Sequence, residues 1–342
     1  MPDRAVEIDR FLGRTGWLTA HRSNLAGDAS ARRYLRLTNA GRTAVLMDAP
    51  PSALQIAPFL LIARHLSALG YSAPAILAED LKNGLILMED FGDSTFNRVL
   101  QAGPDREAEL YRLAVDVLIA LHRSPADRVL TDAMPDYQTD MLLEEVSRFL
   151  RWYVPAMRGE SLPVAAERDF MTHWADALAP LQKLPKTLVL RDFHIDNLVL
   201  LDNRQGAQRC GLLDFQDAVA GPGAYDLVSL LEDARRDIDV GLVTGLHQYY
   251  CDSLAITGTE RTAFAQTCAV LAAQRHTKII GLFTRLRVRD GKPAYLQHIP
   301  RVWKLLERNL CHPALSDLKN WLDAYLPDHN RGIPDHVADA AK

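Results

Sequence analysis

No lysine occurs before Lys82, and the stretch 52–70 contains neither Asp nor Glu. The four cysteines, Cys210, Cys251, Cys268 and Cys311, are scattered and form no Cys-x-x-Cys pair. They read as reduced thiols of a cytoplasmic protein, mostly core filler. No run of about 18 apolar residues is present, so no membrane span is expected. The N-terminus carries Asp3, Glu7 and Asp9 rather than an apolar signal segment, so no export signal is expected either. A formal net charge of only −4 argues against a general nucleic-acid binder. There is no internal repeat and no low-complexity block. What remains is a chain of 342 residues, 48% hydrophobic, long enough for one large domain or two lobes around a real core.

The chain is organised around Val189 to Leu231. Two apolar runs flank Asp192 and Asn197, and a third, Gly211-Leu212-Leu213, ends on Asp214-Phe215. A lone Asp or Asn at a turn usually satisfies backbone groups. An ordered set is different: a carboxylate, a carboxamide five residues later, and a second carboxylate closing a hairpin. Phosphoryl transfer needs a group to orient the attacking hydroxyl and oxygen ligands for Mg²⁺ on the phosphates. Kinase catalytic loops place Asp and Asn at this offset, followed by a metal-binding Asp-Phe pair.

These residues resemble the aminoglycoside phosphotransferase and choline kinase superfamily. The run Asp214-Phe215-Gln216-Asp217-Ala218-Val219, then Gly221-Pro222 and Tyr225 to Leu231, is similar to the anomeric kinases of N-acetylmuramate and N-acetylglucosamine. The similarity extends from Leu25 to about Leu326. It implies an α+β, protein-kinase-like fold of two lobes. Residues 1–92 would form a small antiparallel-sheet lobe with one main helix, plus the hinge. Residues 93–327 would form a larger, mostly helical catalytic and acceptor lobe, and 328–342 a loose tail. It further implies ATP and Mg²⁺, with Asp192 as catalytic residue and Asn197 and Asp214 on the metal. The partner would be a small amino sugar, with neither nucleic acid nor membrane.

In chain order, helical spacing appears near 3–13, and alternation from Tyr34 marks a strand. The small polar loop before it, Gly27-Asp28-Ala29-Ser30, lies where the family covers the phosphates, and its N–H groups could approach phosphate oxygens. The next strand, 43–48, has Met47 where kinases normally have a lysine. The glutamate expected on the following helix is missing too, so no orphan charge is left. Arg32 or Arg33 would supply the cation, unless both are solvated. Met88 to Gly92 resembles the hinge, with the Glu89 carbonyl and Phe91 amide facing adenine. Helices follow near 105–122, 136–154, 165–182, 242–250, 260–288, 301–311 and 315–326. Glu144, in the second of these, is a candidate for sugar hydroxyls, as is Asp217 beyond the metal aspartate. Arg191 replaces a residue that is commonly Gly in aminoglycoside kinases. It pairs either with an acidic substrate group or with a protein carboxylate. Asp226 is assigned to structure.

Only eleven residues separate Asp214 from Asp226, leaving no room for a protein-kinase activation segment. Two other readings stay open: an aminoglycoside or amino-alcohol phosphotransferase, and a catalytically silent nucleotide-binding regulator.

Overall fold

The computed structural model describes residues 4–25, 32–50 and 56–334. The chain begins with α1 (Arg4–Thr15), β1 (His21–Leu25), β2 (Arg33–Asn39), β3 (Arg42–Asp48), α2 (Ala57–Ala68), β4 (Ile76–Asp80) and β5 (Leu85–Met88). Then come α3 (Phe96–Ala102), α4 (Glu107–Arg123), α5 (Ala126–Val129), α6 (Thr139–Arg148), α7 (Val154–Arg158) and α8 (Val164–Leu178). Four short strands follow: β6 (Thr187–Val189), β7 (Leu198–Leu200), β8 (Cys210–Leu212) and β9 (Val219–Gly221). The last helices are α9 (Ala224–Leu231), α10 (Val240–Ser253), α11 (Gly258–Val288), α12 (Ile299–Leu310) and α13 (Ser316–Tyr325).

These elements form two compact units, Met1–Val117 with Asp192–Ala218, and Leu118–Arg191 with Val219–Lys342. In the first, five antiparallel strands run in the order β1-β2-β3-β5-β4. Ile8, Phe11 and Leu12 recur at helical spacing, so α1 buries one stripe. That stripe packs with Leu37, Ala44, Leu46, Leu85 and Leu87, which alternation along the strands puts on one sheet face. The β7–β8 hairpin is tied to the segment after α2. Leu212 N–H donates to the Ser72 carbonyl at 2.7 Å, and the Ser72 hydroxyl donates to the Gln208 carbonyl at 2.7 Å.

The second unit is helical around α11. Nearly every residue from Thr267 to Leu286 is buried, including Gln274, Arg275, His276 and Lys278. Phe149, Phe170, Trp303 and Trp321 fill its core, with Phe170 and Trp321 ring centroids 4.6 Å apart. Truncating one such ring to alanine costs about 3–5 kcal/mol.

The helix expected near 136–154 is broken. After α6 the backbone widens into a π turn, Phe149–Tyr153, before α7. Pro155 follows at the start of α7 and has no N–H to give. Here α11 approaches closely: a Cβ on Gly281 would lie 2.5 Å from the Arg148 carbonyl carbon. Helix α3 had no counterpart among the expected helices, because only Phe96 and Leu100 are buried in its seven residues. Of the segment expected to be a loose tail, the part up to Pro334 is tied down. Arg331 lies over Trp303 and pairs with Asp323 at 2.6 Å, and the Gly332 N–H donates to the Tyr153 hydroxyl. Cys210, Cys251 and Cys268 are buried free thiols, as expected of core filler, while Cys311 is exposed.

Candidate active site

Strand β7 pairs with β8 so that Leu198 faces Leu212. The residues just outside this pair, Asn197 and Leu213, are therefore neighbours, and Leu213 N–H donates to the Asn197 carbonyl at 2.9 Å. One hairpin end thus carries both Asn197 and Asp214. The loop from Asp192 folds back onto it. The Asn197 side-chain nitrogen donates to the Asp192 carbonyl at 2.9 Å, and His194 N–H donates to the same oxygen at 3.2 Å. The Asn197 amide nitrogen is thus held by the loop, and its Oδ1 is an oxygen of the type hard cations take.

Burial raises the Asp214 carboxyl pKa, and the neighbouring Asp192 and Asp217 carboxylates add to the rise. Gln216, which donates to Asp214 at 2.8 Å, and Arg32 oppose it. Asp192 and Asp217 therefore both act on Asp214, and Arg32 opposes them there. Asp214 adopts φ +56°, a left-handed conformation that non-glycine residues seldom take. The next side chain, Phe215, is buried and stacks on Phe59 of α2 at 5.0 Å, fixing the turn.

Met47 is fully buried in β3 and faces Tyr34 across the β2–β3 ladder. Of the two candidate arginines, Arg33 pairs with Asp48 at 2.9 Å, and Asp48 also receives Arg4 at 2.6 Å. Arg32 instead hydrogen-bonds the Tyr34 phenol, whose pKa burial pushes up to about 12. The segment Met88 to Gly92, expected as the hinge, is braced from both sides. Arg36 grips Asp90 at 2.7 Å, and Arg204 pairs with Glu89 at 2.5 Å while lying over Phe91. Phe91 packs so close to Gly211 that a Cβ there would lie 2.9 Å from its ring. Gly27, Asp28, Ala29 and Ser30 fall outside the described residues.

The second unit holds the residues just before Asp192. Both oxygens of Asp226, a fully buried carboxylate, accept backbone N–H groups: Leu190 at 2.6 Å and Arg191 at 2.8 Å. Arg191 adopts φ +68°, and its side chain turns onto Glu145 and over the Tyr137 ring. Glu144, the neighbour singled out from sequence, lies on the exposed side of α6 with Arg151. Residue type alone did not separate Glu144 from Glu145. The apolar stripe of α6, Leu142, Val146 and Phe149, does, because Glu145 falls beside it.

Among the described residues, no group of three or more His, Cys, Asp or Glu side chains forms a metal cage. Asn197 and Asp214 instead offer one carboxamide and one carboxylate oxygen, donors of the kind a hard cation takes. No helix among the described residues is long and apolar enough to cross a membrane.

The chain belongs to the phosphotransferase enzyme family, which it matches over residues 21–265. It is 36% identical to the N-acetylmuramate/N-acetylglucosamine kinase of Caulobacter vibrioides, covering 96% of this chain and 98% of that relative. It is 34% identical to the kinase of the same name from Pseudomonas putida, covering 89% and 86%. Among solved structures, a choline/ethanolamine kinase family protein from Mesorhizobium loti superposes with a TM-score of 0.61 at 15% identity, covering 94% of this chain and 100% of that one. ADP-bound aminoglycoside phosphotransferase APH(2'')-Ib gives 0.56 at 16%, covering 88% and 96%. The fold is therefore the α+β, protein-kinase-like one.

Proposed function

We propose that this phosphotransferase uses ATP and Mg²⁺ to phosphorylate the anomeric hydroxyl of N-acetylmuramate or N-acetylglucosamine. The product is the sugar 1-phosphate, formed in the cytoplasm during cell-wall recycling. One observation carries the reading: Asp192, Asn197 and Asp214 meet at one hairpin end, in a chain similar throughout to kinases of that name.

Asp192 accepts a hydrogen bond from the sugar hydroxyl and aims its oxygen in line with the γ-phosphorus. As the new O–P bond forms, the bond to the ADP bridging oxygen breaks and the hydroxyl proton passes to Asp192. Positioning matters more here than base strength, because the transition state is loose. Asn197 and Asp214 would hold Mg²⁺. When bound, the ion neutralises charge that builds up on the phosphates. A buried Asp214 beside Asp192 suits such a cation, since the carboxylates crowd one another without it. The Glu89 carbonyl and Phe91 amide take the adenine edge against Met47, and Asp217 contacts the sugar. Arg32 stands in for the missing lysine, and Arg33 stays with Asp48.

The test is product NMR. Purified protein, ATP and Mg²⁺ are incubated separately with N-acetylmuramate, N-acetylglucosamine, choline and an aminoglycoside. Coupling of phosphorus to the anomeric proton of an amino sugar is the expected result. Turnover of choline or the aminoglycoside alone would overturn the substrate, and ATP binding without turnover of any acceptor would favour the silent-regulator reading.

A further inference from the structure

One buried charge cluster joins α6 and α11. Glu145 receives Lys278 at 2.8 Å, the Tyr137 hydroxyl at 2.7 Å, the Gln274 side-chain nitrogen at 2.9 Å, and the Arg191 guanidinium. Burial alone would raise the pKa of this carboxyl, but Lys278 and Arg191 outweigh it and hold the value near 2. A buried ion cluster of this kind contributes little net stability compared with apolar packing. Its geometry has another consequence. Arg191 is gripped at three points: its N–H by Asp226, its carbonyl by the Ser229 hydroxyl at 3.3 Å, and its guanidinium by Glu145. Its φ of +68° is one that an arginine adopts only when its surroundings impose it. The residue that follows is Asp192.

We propose that Glu145 is a positioning residue for phosphoryl transfer. Through Arg191 it fixes the left-handed turn that aims Asp192 at the acceptor hydroxyl. The proposal rests on the kinase reading above. Lys278 and Tyr137 set the orientation of the carboxylate, and Arg191 carries it to the loop. The side-chain charge of Arg191 is engaged by the protein, so on this account it does not select the acceptor.

The test is a double-mutant cycle on kcat, with Glu145→Gln, Arg191→Met and the double variant measured beside the parent. Glutamine keeps the volume and can still accept from Tyr137, and circular dichroism and thermal unfolding check that the variant folds. Each single variant should lose about 10- to 100-fold in kcat, with both KM values within threefold, as expected when only transition-state positioning is removed. The double variant should lose no more than the worse single, because both changes cut one tether. Arg191→Lys should recover part of the rate. Multiplicative losses in the double variant, or kcat within twofold of the parent in folded Glu145→Gln, would overturn the proposal. So would a rise in acceptor KM at constant kcat, which would make Arg191 a substrate contact. Should Glu145→Gln not fold, the partly exposed Arg191→Met decides alone: unchanged kcat overturns the proposal, and a 10- to 100-fold loss at constant KM supports it. A parent enzyme inactive on every acceptor would count against the kinase reading instead.

Discussion

Replacing Arg32 by methionine separates the two arginines that could serve in place of the absent lysine. Arg32 is half-buried, hydrogen-bonds Tyr34 and shares the electrostatic environment of Asp214. A charge-assisted contact from it to a phosphate oxygen contributes about 1.5–3 kcal/mol. Losing that contact lowers kcat/KM for ATP by about 10- to 150-fold. Arg33 is different. Its side chain is 67% exposed, and its partner Asp48 keeps Arg4 when Arg33 is removed. Arg33→Met should therefore cost about 1 kcal/mol of stability or less and leave ATP kinetics unchanged. The assay is steady-state turnover against ATP, backed by calorimetric titration with ADP, which reads binding without chemistry. Parent-like ADP affinity and kcat/KM in Arg32→Met would refute the argument. An equal loss in Arg33→Met would refute it as well.

Asp214→Asn should raise Tm by about 1–3 °C while removing Mg²⁺-dependent turnover, because it deletes a buried carboxylate that lies beside Asp192 and keeps a side chain tolerant of positive φ. A lower Tm by scanning fluorimetry would contradict this. Glu145 predicts an acid dependence: its folded pKa is depressed from 4.5 to about 2, so its stabilisation, on the order of 3 kcal/mol, is full above the unfolded pKa and lost as pH falls through the folded one. The parent should therefore lose more urea resistance than Glu145→Gln between pH 5 and pH 3, and equal losses would count against it. Gly281→Ala should cost about 3 kcal/mol or more, since its Cβ would meet backbone rather than a movable side chain; an unchanged Tm would show that α11 shifts freely.

The hairpin that carries Asn197 and Asp214 was legible because its signal is local. Asp192, Asn197 and Asp214 sit at the ends of short apolar runs, and the strand pairing of β7 with β8 follows from those runs. Long amphipathic helices such as α4 and α12 were legible for the same reason. What could not be read was set by residues distant in sequence. The stripe of α6 marks Glu145 as inward, but its partners Lys278 and Gln274 come from α11, more than 120 positions later. The π turn at Phe149 depends on the close approach of Gly281 as well as on Pro155, and only the proline has a local signature. Asp226 was read as structural from its place at a helix start. The two backbone amides it accepts lie 35 and 36 positions earlier, and no periodicity marks them.

The strained backbone links these pieces. Among the described residues, four that are not glycine have positive φ, and Arg191 and Asp214 are two of them. Each such conformation costs about 1–3 kcal/mol, so both must be held by neighbours rather than chosen by the local chain. Arg191 is held by Asp226, Ser229 and Glu145, and Asp214 by Gln216 and the Phe215–Phe59 stack. Each turn bears on where a carboxylate points, Asp192 after Arg191 and Asp214 itself. Removing a holding group should therefore relax the turn and misdirect the carboxylate while much of the surrounding packing survives. Damage of that kind shows in kcat well before it shows in Tm, the opposite order to that expected for Phe170 or Trp321, whose loss would open the helical core first.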